Sequence, residues 1–224
     1  MTPAALAELS PARQSEVLAA LTAVETAVEP VPKTALRALV DEGLRATLTA
    51  VLAEAGRVLV ETDAGFLSGY DDTIADRLAA EGIGVLPEDD RAVLTLVLLH
   101  TVAIPRARGE LPATDDWSGI PVPRERLHDS RQISGVRIDA ALRRLQDAGI
   151  LRPGGRPSIV PGPQFHRLTP DASRRLFEEL VLIAEPGGAL ADSIRRRRRA
   201  RATVPSEPPP PGEQPNAEER EVHP

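Results

Sequence analysis

Cysteine is absent from the chain. This removes disulfide scaffolds, zinc–thiolate sites, iron–sulfur clusters and thiol nucleophiles together, and makes a reducing cytoplasm the expected setting. Aromatics are scarce, with one Trp, one Tyr and three Phe among 224 residues. The 42% hydrophobic share therefore rests on Leu, Val, Ile and Ala, so an aliphatic core built mainly from helices is expected. Long apolar runs are missing as well. The stretch around Val97-Leu98-Leu99 is interrupted by Thr95 and His100, far short of the roughly 18 apolar residues that a membrane crossing needs. The opening residues Met1 to Glu8 lack the basic region of a secretory signal, so a cytoplasmic, non-membrane protein is expected. Lysine occurs only at Lys33, and every other basic residue except the histidines is Arg.

The charge that is present is unevenly placed. Arg195 to Arg199 with Arg201 carry +6, and residues 202–224 hold five Glu and one Arg, which leaves −8 on residues 1–194. An acidic body repels a nucleic-acid backbone at long range, so any DNA contact must come from a local arginine patch. Residues 202–224, with Pro208 to Pro211 among Glu, Ser and Gln, cannot bury enough apolar surface to offset the entropy of ordering. That composition predicts a disordered tail.

Hydrophobic spacing organises the rest. Ser10 reads as a cap and Pro11 as the first residue of a helix over about 11–28, carrying Val17, Leu18, Leu21, Val24 and Val28. Pro32 opens a second helical stretch with Leu36, Leu39 and Val40, broken at Gly43. A third carries Leu44, Leu48, Val51, Leu52 and Ala55 and ends at Gly56, where a left-handed cap is wanted. Residues Arg57 to Thr62 and Phe66 to Tyr70 flank the turn Asp63-Ala64-Gly65 as a hairpin. The grammar recurs. Asp89-Asp90 stand as caps before an apolar helix through Val102 that Pro105 stops or kinks. Pro123 to Leu127 suggests a turn or two of helix, and Ser134 caps a helix through Ala148 with Ile138, Ala141, Leu142 and Leu145 inward. Gly149 closes that helix, and Ile150 to Arg152 and Ser158 to Val160 form a second strand pair around Pro153-Gly154-Gly155-Arg156-Pro157. Thr169-Pro170 starts a helix with Leu176, Phe177, Leu180, Ile183 and Ala184, and a last short helix runs from about Ala189 into the arginines. The fold class expected is mainly α with small β-hairpins, as tandem winged-helix domains. Their boundaries are 1–86, 87–194 and, for the arginine cluster and tail, 195–224.

No catalytic, cofactor or metal site emerges from the residues, and no cofactor is expected. The acid pairs Asp71-Asp72, Asp89-Asp90 and Asp115-Asp116 sit at turns or helix starts, where capping and the helix dipole account for them. His100, His128, His166 and His223 lack ligand spacing. His128-Asp129-Ser130 holds the residue types of a hydrolase triad, but neighbours in sequence do not form its geometry. Gly154-Gly155 and Gly82-Ile83-Gly84 lack the context of a phosphate loop and read as turns. A winged helix raises the question of DNA, and the exposed face of the helix after Ser134 decides it. That face offers Arg137, Arg143 and Arg144 against Asp139 and Asp147, with Arg152, Arg156 and Arg167 nearby. The cluster Arg195, Arg196, Arg197, Arg198 and Arg199 is a second candidate for phosphate, anionic lipid or an acidic partner, or serves only to solubilise a helix end. The first hairpin carries Glu61 and Asp63, which disfavour phosphate.

Three segments carry a resemblance: Arg57 to Leu67, Asp90 to Leu99, and Val136 to Leu151 with the wing that follows. As a pattern of elements they resemble the kleisin-interacting tandem winged-helix accessory subunits of SMC-type complexes, the MukE and MksE subunits and the small subunit of the Wadjet plasmid-defence system. The resemblance spans most of residues 33–185. It implies a non-catalytic, homodimeric subunit that grips a kleisin-like or SMC-like partner, with weak DNA contact. It also implies an interface on the Leu94 to Val102 and Leu176 to Ile183 helices, whose alternative role is plain core. The Pro/Glu tail and Ile104 to Glu110 depart from the pattern. A winged-helix DNA-binding transcriptional regulator using Arg137, Arg143, Arg144 and Arg156 is the competing expectation.

Overall fold

Aliphatic helical spacing punctuated by Gly, Pro and Asp builds a mainly helical chain with two small antiparallel sheets. The computed structural model describes residues 3–112, 117–129, 133–155 and 157–203. After a single turn, α1 (Ala4–Ala7), comes α2 (Pro11–Thr26), whose Pro11 sits where a missing N–H is harmless. Ser10 holds the cap position but its side chain makes no capping bond. Val17, Ala20 and Val24 face inward, while Leu18 and Val28 are exposed. The next stretch is shorter than its spacing predicts. Helix α3 (Arg37–Val40) stops at Asp41, whose carboxylate accepts from the Leu44 N–H at 3.0 Å and starts α4 (Glu42–Glu54). The break falls at Asp41 rather than Gly43 because an aspartate cap satisfies a free helix donor, and Gly43 already lies inside the new first turn.

Helix α4 buries Leu44, Leu48, Val51 and Leu52 and ends at Gly56, which adopts φ 68°. The chain then enters the hairpin of β1 (Arg57–Thr62) and β2 (Gly65–Tyr70). Val31 pairs with Phe66 on the other edge of β2, so the spatial order is Val31, β2, β1. Asp71 caps α5 (Asp72–Ala80) through the N–H groups of Thr73 and Ile74, a helix not foreseen from the sequence.

The apolar helix α6 (Glu88–Leu98) has Pro87, not Asp89 or Asp90, at its cap position. It neither stops nor breaks at Pro105. A π-helical turn, Leu99–Ala103, closed by the Ile104 N–H on the Leu99 carbonyl, carries it into α7 (Ile104–Ala107). Pro105 has no N–H for the Thr101 carbonyl one turn back. That carbonyl instead accepts the Ile120 N–H at 2.8 Å, tying the following loop to the helix. The segment Ile104 to Glu110, unplaced from sequence, thus begins as helix with a buried Arg106, which lies 5.3 Å over the Phe177 ring and donates to the Ser118 carbonyl at 3.1 Å.

The second unit continues with β3 (Val122–Pro123), α8 (Arg124–His128), α9 (Gly135–Asp147), β4 (Leu151–Pro153) and β5 (Ser158–Pro161), in the spatial order β3, β5, β4. Helix α9 buries Ile138, Ala141, Leu142 and Leu145 as its spacing predicts, each large side chain contributing about 1.5–3 kcal/mol by leaving water. Ser134 again marks the cap without a side-chain bond, and Gly149 adopts φ 68° like Gly56. A 3-10 turn, Pro163–Arg167, leads to α10 (Pro170–Ala184), capped by the Thr169 hydroxyl on Ala172 N–H, and then α11 (Ala189–Thr203). The last helix is longer than expected and contains the whole arginine cluster, so the expected boundary at 194/195 lies inside it. The expected disordered tail lies, from residue 204 onward, outside the described residues.

The two units share one plan: helix, strand segment, two helices, two strands, with the last strand central in the sheet. One core joins α2, α3, α4 and Phe66; a second joins α6, α8, α9 and the second sheet. A third packs the end of α6 with Trp117, Phe165, α10 and α11. Leu98 and Val102, with Phe177, Leu180 and Val181, are buried in that third core. The stretches that the resemblance offered as interface thus contribute to core, with Leu94, Leu96, Leu99, Leu176 and Leu182 partly buried and Glu179 and Ile183 exposed.

Candidate binding surfaces

Helix α9 is held to α6 by its own arginines. The Arg137 guanidinium forms a two-pronged pair with Asp89, its Nε donating at 2.8 Å, and Arg144 grips Asp90 with Nε at 3.0 and 3.1 Å from the two carboxylate oxygens. Asp90 is 3% exposed, so its charge is matched inside the protein rather than by water. Arg137 holds the Asp89 carboxyl below its usual range, and each carboxylate in turn raises its arginine. Asp89 and Asp90 therefore act as ion-pair partners across two helices, not as the caps the sequence suggested. Asp139 is engaged by His128 Nε2 at 3.2 Å, which directs that imidazole at α9 rather than at Asp129; Ser130 lies outside the described residues.

The remaining candidates divide in the same way. Arg143 is exposed and makes no hydrogen bond or ion pair. Arg152 is exposed with one long contact, 3.3 Å from Nε to the Pro161 carbonyl. Arg156 lies outside the described residues. Arg167 leaves the patch altogether, donating to the carbonyls of Val24, Glu25, Ala27 and Ser68 at 3.4, 3.1, 2.6 and 2.7 Å. These oxygens end α2 and line β2, so an arginine of the second unit caps a helix of the first. Burial and the nearby Arg57 charge lower its pKa.

On α11, Arg198 pairs with Glu178 and Glu179 at 2.8 Å each, and Arg195 with Asp192 at 3.0 Å. The Glu178 carboxylate raises the Arg198 pKa. Arg196 and Arg197 point outward without an ion pair, as does Arg201, while Arg199 is engaged. The uncompensated charge on this helix is thus smaller than the run of five suggests.

Between the units lies a cleft of about 400 Å³. Glu29, Glu61 and Asp63 rim it on one side, and Trp117, Phe165 and His166 on the other. The Trp117 and Phe165 rings sit 4.6 Å apart, and the indole N–H donates to Ser173 at 3.0 Å. No single stretch of sequence announces this cleft, because its two walls are more than fifty residues apart. Among the described residues, no three His, Asp or Glu side chains gather as a metal site would need. No helix among them is long and apolar enough to cross a membrane. No protein-family model matches this chain, and no curated protein matches it significantly.

Proposed function

We propose that the chain is a non-catalytic tandem winged-helix protein that works by binding another protein, a kleisin-like chain of an SMC-like complex, with DNA contact secondary. The repeated plan of helix, strand, two helices and two strands, with its shared strand order, supports the winged-helix reading. One observation carries the functional choice: Arg137 and Arg144, the arginines best placed to meet a major groove, are occupied by Asp89 and Asp90. What α9 presents besides them is Val136, 81% exposed, with Asp147 and the unpaired Arg143. An exposed aliphatic side chain among charges of both signs suits a protein partner better than phosphate. The acidic rim of the interunit cleft argues the same way. A cytoplasmic homodimer is part of this reading.

The competing reading, a winged-helix DNA-binding regulator, is favoured by Arg143, Arg196 and Arg197, which carry no ion pair. A gel-shift titration of the whole chain over a salt series separates them. Weak, sequence-independent binding that fades steeply with salt is expected. Nanomolar, sequence-dependent binding overturns the protein-binding reading.

A further inference from the structure

Two arginines and an imidazole from three places in the sequence line one pocket of about 130 Å³: His100 on the π-helical turn, Arg108 just after α7 and Arg126 on α8. None of them makes an ion pair. Glu110, the one carboxylate on the pocket wall among the described residues, makes no ion pair with any of the three. The rest of the lining is apolar, from Ile104, Pro105, Ile120, Pro121 and Pro123, with Ile120 38% exposed. Its shape is fixed by the backbone: the π turn swings His100 toward the pocket, and the Thr101 carbonyl freed by Pro105 holds the Ile120 loop opposite.

We propose that this pocket receives an acidic side chain, Asp or Glu, of a partner polypeptide, with the neighbouring aliphatic residue of that partner packing on Ile104 and Ile120. The inference rests on the protein-binding reading above and gives its partner a chemistry. Two guanidinium groups and an imidazole supply forked donors for one carboxylate. An aliphatic neighbour satisfies the apolar rim, which a phosphodiester chain, charged at every step and flanked by ribose, does not. Burial and the Arg126 charge hold the His100 pKa below its ordinary value in the free protein, so a bound carboxylate raises it and carboxylate binding strengthens as pH falls.

The test uses the full chain with histidine ring resonances followed by NMR. The probe is the peptide acetyl-Ala-Leu-Glu-Leu-Ala-amide, with its Glu→Gln counterpart as control. A saturable shift of the His100 ring and a rise of its titration midpoint are expected with the Glu peptide only, with a Kd of about 1 mM. Arg126→Gln, at an exposed position that leaves the core intact, weakens the response about tenfold. The proposal is overturned by a His100 ring that stays silent at about 10 mM peptide. It is equally overturned by an equal response to the Gln peptide, or by inorganic phosphate or a short DNA duplex occupying the pocket in preference to the Glu peptide. A silent pocket in a chain that also fails to bind DNA removes this partner chemistry and leaves the protein-binding reading standing. Nanomolar DNA binding in the gel shift removes that reading instead.

Discussion

At Arg167 one guanidinium, with five donors and no acceptor, meets four backbone carbonyls from two separate elements. No carboxylate is needed, because the oxygens at a helix C-terminus already carry partial negative charge. Arg167→Ala is expected to lower the unfolding free energy by about 2–3 kcal/mol after screening at its partly exposed edge. Arg167→Lys restores only part of it, because an ammonium lacks the planar fork. Urea denaturation of the three chains checks the order. His100 gives a second expectation. Arg126 from α8, with Arg108 and Glu110 beyond α7, are the charged groups lining its pocket, and burial with the Arg126 charge lowers its pKa. The unfolded chain therefore takes up that proton first as the pH falls, so stability declines from about pH 6.5 downward and levels off below the folded pKa. Asp41, Glu61 and Asp89, all lowered, act further down, below about pH 4.5. His100→Gln should accordingly lose less stability than the parent between about pH 6.5 and pH 5, as read by thermal unfolding.

Helix α9 shows how an element's own stripe was legible while its role was not. Ile138, Ala141, Leu142 and Leu145 are inward, as their spacing predicts, because burial of one face depends only on local periodicity. The pairing of Arg137 and Arg144 with Asp89 and Asp90 joins residues about fifty positions apart. No local pattern encodes it, so adjacent aspartates at a helix start read as caps. The same limit explains α6, where Pro105 looks like a stop until the π turn and the Ile120 N–H resolve its missing bond. The first and second hairpins were readable, since Gly56 and Gly149 mark helix ends by the one backbone conformation that glycine favours. β3 and the Val31 bridge were not, being too short for alternation to show. The ion pairs also give α9 a test. Asp89→Asn leaves the fold intact and releases Arg137 to phosphate. Non-specific DNA binding should then strengthen at low salt, and the slope of log affinity against log salt should steepen by roughly one. An unchanged slope in the gel shift shows that α9 does not face DNA at all.

Across the whole molecule, one core lies in the first unit and two adjoining cores in the second, which leaves the relation between the units to their seam. That seam is polar and directional. Besides Arg167, the Thr169 hydroxyl donates to Asp72 at 2.6 Å, and Arg175 reaches the same carboxylate at 3.0 Å. Gly69 completes it, since a methyl built there overlaps the Arg167 carbonyl. A methyl at Gly65 makes a similar clash, but with the Val31 carbonyl inside the first unit. The two glycines therefore separate coupling from stability. Gly69→Ala must push the units apart and break the Arg167 bonds, with only the tip of the Val60 side chain to shift inside the first unit. Gly65→Ala, strained at its φ of 152° as well, weakens the first unit and leaves the seam. Calorimetry of the parent should show one cooperative transition, because hydrogen bonds worth about 2–3 kcal/mol link two units each near marginal stability. Gly69→Ala should split it into two transitions, and Gly65→Ala should lower the first unit's melting and draw the second down with it. A Gly69→Ala chain that still melts in one transition at the parent temperature means that the units are coupled by something other than this seam.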